Sequence, residues 1–109
     1  MFRTASLAAL ALTLAACEVR APVQGQLASG AETFTGEAVG GADGAGTLKI
    51  RSDKGRTCKG RFVYETQRQG SGTFLCSDGT SGPFTFVSTG TRGTGTGTIG
   101  GQPFTFTFG

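Results

Sequence analysis

Seven carboxylates, three cysteines and ten cations, with no histidine, bound the chemistry open to this 109-residue chain. Without histidine, the commonest general base and the commonest neutral metal ligand are both missing. Glu32, Glu37, Asp43, Asp53, Glu65 and Asp78 are scattered over turn-like positions and strand ends. No strand pairing read below brings two of them together as a glycosidase pair requires. Asp53 and Asp78 stand beside Ser and Gly, where an aspartate side chain caps the backbone of a tight bend. The glycine-rich stretch 40–46 is followed by neither Lys-Ser nor Lys-Thr and opens no helix, so it reads as a hairpin turn and not as a phosphate loop. The expectation is a protein with no catalytic residue, no metal site and no cofactor.

The cations are less evenly spread. Lys49, Arg51, Lys54, Arg56, Lys59 and Arg61 crowd one short stretch, and a hairpin through it sets Lys49 opposite Lys59. Like charges facing each other across a strand pair are mildly destabilising, which singles the stretch out as a candidate anion-binding surface. The competing reading is a solubilising face that protects a sheet edge.

The elements that would carry these groups are strands. Segments rich in Thr, Phe, Val and Ile alternate with Gly, Ser and Asp turns, and no apolar period near 3.6 appears after residue 30. Strands are expected at 33–40, 45–51, 57–64, 71–76, 83–89, 94–99 and 103–108, joined by the turns Ser52-Asp53-Lys54-Gly55, Ser77-Asp78-Gly79 and Gly100-Gly101-Gln102. Connections this short favour an antiparallel meander of about seven strands.

Residues 1–16 have the anatomy of a secretory signal: a positive charge at Arg3, an apolar run carrying Leu7, Leu10, Leu12 and Leu14, then small residues. The run is too short to span a membrane as a helix. Leu14-Ala15-Ala16-Cys17 resembles a bacterial lipobox. The resemblance implies cleavage before Cys17, whose thiol then carries a diacylglycerol and whose amine is acylated. Glu18 in place of Asp implies retention in the outer membrane, facing the periplasm. Residues 17–32 then read as the lipidated cysteine and a flexible tether, and residues 33–109 as one folded domain. With Cys17 acylated, Cys58 and Cys76 remain in a compartment that permits disulfides, and they are expected to pair. Such a link contributes about 3 kcal/mol in the chain-entropy model to a core that is marginal at this size.

If Cys58 faces Cys76, antiparallel pairing sets Gly60 opposite Phe74, Phe62 opposite Gly72 and Tyr64 opposite Gly70. Each glycine then lies under a ring that covers its missing side chain. The last hairpin allows the same device, with Phe106 opposite Gly97 and Phe108 opposite Gly95. The motif beginning at Gly44-Ala45-Gly46-Thr47-Leu48 recurs at Gly70 and Gly95, at offsets of 26 and 25 residues. Gly70, Gly72, Phe74, Asp78 and Gly79, with Gly55, Cys58, Gly60 and Phe62, give the chain a resemblance to the MORN repeat, with Phe34, Gly36 and Ala38 as a weaker copy.

That register gathers Phe34, Leu48, Ile50, Phe62, Tyr64, Phe74, Phe84, Phe86, Ile99, Phe104, Phe106 and Phe108 on one face. A face so apolar needs cover. The expected solution is a half-open roll or small barrel packed on its own rings, and the other is docking on a partner. A membrane-spanning barrel is disfavoured, since its strands need about nine to eleven residues. The sequence thus describes a lipid-anchored, all-β envelope protein that binds or scaffolds an anionic envelope component and no nucleic acid. The alternative is a periplasmic inhibitor of a lysozyme or protease, plugging an active site with Glu65–Gln69 or Ser88–Arg92.

Overall fold

The computed structural model of the protein describes residues 18–41 and 43–109. Its elements are β1 (Val19–Leu27), β2 (Thr33–Gly40), β3 (Ala45–Ser52), β4 (Thr57–Tyr64), β5 (Gln69–Cys76), β6 (Ser81–Thr89), β7 (Arg92–Ile99) and β8 (Gln102–Phe108). Each strand pairs antiparallel with the next, and β8 returns to β1, so eight strands close into a barrel. Closure leaves the apolar face inside. The outer wall is mostly Thr, Lys, Arg, Gln and Ser, with Val63, Leu75 and Val87 exposed among them, and it lacks the continuous apolar band of a membrane-spanning barrel.

Two expectations change here. Residues 19–27, read as part of a tether, are strand β1, which pairs with both β2 and β8. Its inward positions Val19, Ala21, Val23, Gly25 and Leu27 alternate with the outward Arg20, Pro22, Gln24 and Gln26. Small residues make that period of two faint, yet the strand supplies the seam: seven strands leave two unpaired edges, and the eighth removes both. The last hairpin also differs, by two residues. Phe104 faces Gly97, Phe106 faces Gly95 and Phe108 faces Gly93. A shift of two keeps every ring on its face, so the glycine–aromatic pairing survives with new partners.

The register of β4 with β5 follows the disulfide. Cys58 faces Cys76, Gly60 faces Phe74, Phe62 faces Gly72 and Tyr64 faces Gly70, and the Cys58–Cys76 bond is formed. Gly70 and Gly72 are sterically required. A Cβ on Gly70 would enter the Phe86 ring, and one on Gly72 would meet Phe84 Cζ at 2.5 Å. The tight bends use another property of glycine: Gly55 and Gly79 adopt φ of 85° and 86°, where a side chain is strained.

The barrel has two distinct ends. The turns β1–β2, β3–β4, β5–β6 and β7–β8 form the base. The other three loops form the mouth, together with the start of β1 and the end of β8. Near the base the inward residues are large, with Leu27, Phe34, Ile50, Cys58, Phe74, Ile99 and Phe104 buried in one cluster. Phe74 sits among Phe84, Phe104 and Phe106, with ring centroids 4.4, 5.6 and 6.2 Å away, spacings at which aromatic pairs attract beyond their buried area.

Candidate ligand cup and basic wall

At the mouth β1 and β2 contribute the small inward residues Ala21, Ala38 and Gly40, beside Val19 at the start of β1. Across from them, Phe62, Tyr64, Phe86 and Phe108 project inward from β4, β6 and β8. Aromatics on one wall and small residues on the other leave a space of about 370 Å³, floored by Leu48 and Phe84 and open to solvent. An eight-stranded barrel is just wide enough to be filled by side chains or to hold one small ligand. Here the base is filled and the mouth is a cup, its volume at the lower end of the range for ligand pockets, roughly 300–1,000 Å³.

The lining is apolar and uncharged. Its polar groups are Thr91, at the rim, and the Tyr64 hydroxyl, hydrogen-bonded at 3.2 Å to the hydroxyl of Ser88. Phe62, Tyr64 and Phe86 meet edge to face, at centroid distances of 5.4 Å for Phe62–Phe86 and 5.1 Å for Tyr64–Phe86. Beyond the end of β8 one wall stands taller, because Val23 is the β1 residue level with Phe108, while Val19 still pairs with Gly40 of β2.

The base is closed by a charged plug. Arg56 donates from Nε and Nη2 to the two carboxylate oxygens of Glu32 at 3.2 and 2.8 Å, and from Nη1 to Asp78 at 3.3 Å and Thr80 Oγ1 at 3.1 Å. Its guanidinium carbon lies 5.6 Å from the Phe34 ring centroid, within cation–π reach. The side chains of Arg56 and Glu32 are only 15% and 10% exposed, so each is tied to the other by the cost of a lone buried charge. Asp78 is held below the usual carboxylate range first by the Thr80 hydroxyl, then by the Thr80 N–H, with Arg56 adding to both. Asp78 therefore caps its own turn, as expected, while Asp53 reaches across to accept from the Thr33 N–H at 3.2 Å.

The plug corrects two sequence expectations. Arg56 is committed to Glu32 and Asp78 and leaves the proposed anion-binding set. Glu32 and Asp78, expected to stay apart, converge on one guanidinium. They were missed because they lie 46 positions apart in sequence, and it takes the pairing of β2 with β3 and of β4 with β5 to set the β1–β2 and β5–β6 turns on either side of the turn that carries Arg56. The other cations divide between wall and tip. Lys49 and Lys59 face each other, as do Thr47 and Arg61, so Lys49, Arg51, Lys59 and Arg61 form an outer basic wall, with Lys54 at the basal turn. None of these five makes an ion pair among the described residues. Lys49 also lies beside Glu37 on β2, whose carboxylate is taken at 2.8 Å by Arg20. Beside the wall, Val63 and Leu75 are 52% and 64% exposed.

Of the candidate inhibitory loops, Glu65–Gln69 is a mouth hairpin tip. Ser88–Arg92 spans the tip of the β6–β7 hairpin, also at the mouth, where Gly90 and Thr91 turn the chain and Ser88 is buried. Cys17 lies outside the described residues. Among the described residues no cluster of three or more Cys, Asp or Glu is placed to hold a metal ion.

No protein-family model and no curated protein matches this chain. Among solved structures it is similar to a redesigned beta barrel, mFAP1, bound to DFHBI, with a TM-score of 0.64 and 13% sequence identity over 82% of this chain and 90% of that one. At that identity the likeness shows a shared fold, an antiparallel β-barrel, and nothing of shared activity.

Proposed function

We propose that this protein is a small lipid-anchored binding protein of the bacterial outer membrane, non-catalytic and facing the periplasm, whose ligand site is the apolar cup. The observation that carries the reading is where the cup opens: Val19, the first residue of β1, lines it and follows Cys17 by two residues. An acyl group on Cys17 would stand at the mouth and hold that end of the barrel against the bilayer. The base, with Lys54 at its turn, would point away from the membrane. The basic wall of Lys49, Arg51, Lys59 and Arg61 would then run down the side of the barrel toward an anionic envelope component, such as peptidoglycan carboxylates.

Cell fractionation with the full chain tests this. The wild type is expected in the outer-membrane fraction with the mass of a diacylglyceryl group on Cys17, and Cys17→Ser in the soluble periplasmic fraction. Recovery of both forms in the soluble fraction would refute the anchor. Substituting Ser at Lys49, Arg51, Lys59 and Arg61 tests the wall separately, through low-salt retention of the unlipidated Glu18–Gly109 barrel on envelope fragments. The barrel closes within residues 19–108, so that piece is a complete folding unit.

A further inference from the structure

We infer that the cup takes an acyl chain. The inference deepens the reading of the cup as a ligand site, and three features select this chemistry. First, the lining carries no charged side chain, and the Tyr64 hydroxyl is already engaged by Ser88. A ligand rich in ring nitrogens or carbonyls would bury those groups unpaired, at a cost its burial must overcome, whereas an acyl chain has nothing to satisfy. Second, the rings of Phe62, Tyr64 and Phe86 are packed edge to face against one another. They present an irregular wall and no parallel slot for a planar ring. Flexible methylenes fill such a wall where a rigid plate does not.

The third feature is position. Two residues of extended chain span at most about 7 Å, so lipid attached at Cys17, or belonging to the bilayer beside it, meets the cup at its rim. The taller wall formed by the start of β1 and the end of β2 leaves the side above Phe108 open, and a chain can enter there without threading between strands. An acyl chain can come from the anchor itself or from a neighbouring bilayer lipid, and the two sources can be told apart.

Tyr64 makes the test direct, because the chain has one tyrosine and no tryptophan and that tyrosine lines the cup. Palmitate titrated into the oxidised Glu18–Gly109 barrel is expected to change Tyr64 emission saturably, one per barrel, with naphthalene binding at least about tenfold more weakly. Ala38→Phe, which places a ring in the cup, is expected to weaken palmitate by at least the same factor. Ala21→Phe does so from the adjacent strand and serves if the first variant loses cooperative unfolding. No saturable palmitate signal, naphthalene binding as tightly, or palmitate binding untouched by either variant would overturn the inference.

The source is read with the full chain in phosphatidylcholine vesicles, where the palmitate-bound emission is expected without any addition. Cys17→Ser mixed with the same vesicles then assigns the occupant: bound emission points to a bilayer lipid and unbound emission to the anchor's own chain. An unbound signature from the acylated chain would overturn occupancy at the membrane. Should fractionation instead find Cys17 unmodified, the anchor falls while palmitate binding by the barrel still decides the cup.

Discussion

The two ends of this barrel are built from the same eight strands and do opposite things. At the base, Phe34, Ile50, Phe74 and Phe104 fill the interior, and Arg56 with Glu32 seals it. At the mouth, Ala21, Ala38 and Gly40 give up volume on one side, and the interior opens. The same strands in the same order run through both ends, so the contrast comes chiefly from side-chain size at inward positions. A barrel this narrow can be made solid or hollow by a handful of residues, without any change in backbone plan.

The sharpest way to break the contrast is to unseal the base. Glu32→Ala leaves the Arg56 guanidinium largely buried beside Phe34 with only the more exposed Asp78 and the Thr80 hydroxyl for partners, and is expected to cost about 3 kcal/mol. Ala38→Phe at the mouth fills space that is already empty and is expected to cost less than about 1.5 kcal/mol. Urea denaturation of the two variants measures the difference, and equal losses would mean that the mouth is as tightly packed as the base. Next in size is the disulfide. Cys58→Ser with Cys76→Ser is expected to lower stability by about 2–4 kcal/mol in the same assay, while the cup, which does not include either cysteine, keeps its ligand.

The smallest effect is electrostatic and confined to the base. The folded-state pKa of Asp78 is lowered, so its contribution is complete above the unfolded value, near 3.8, and is lost as pH falls through the still lower folded value. Stability is therefore expected to erode below about pH 4, and Asp78→Asn to flatten that acid limb while leaving neutral-pH ligand binding at the mouth unchanged. Thermal melts between pH 2 and pH 7 read this directly.

Much of the wall was legible in advance. The alternation of Phe74, Phe84, Phe86, Phe104 and Phe106 with Thr and Ser fixed which face turns inward, and the Cys58–Cys76 pairing set the register of β4 on β5. The last hairpin was harder. Gly93, Gly95 and Gly97 repeat at every second position, so Phe106 has equivalent partners two residues apart, and local pattern alone does not choose between them. β1 was missed for a related reason: its inward Ala21 and Gly25 carry too little apolar surface to announce a strand.

By itself, then, the sequence determined the all-β class, the inward face, the disulfide and the basic stretch, because each rests on neighbours within a hairpin or on a period of two. Tertiary structure decided the rest. Barrel closure turned a supposed tether into the seam strand, while pairing across hairpins drew Glu32 and Asp78 onto Arg56 and withdrew that arginine from the basic surface. It also made a cup from small residues on β1 and β2 facing aromatics on other strands. Closure is a condition on the whole ring of strands, and a void belongs to the residues that surround it jointly, so neither is written in any one segment.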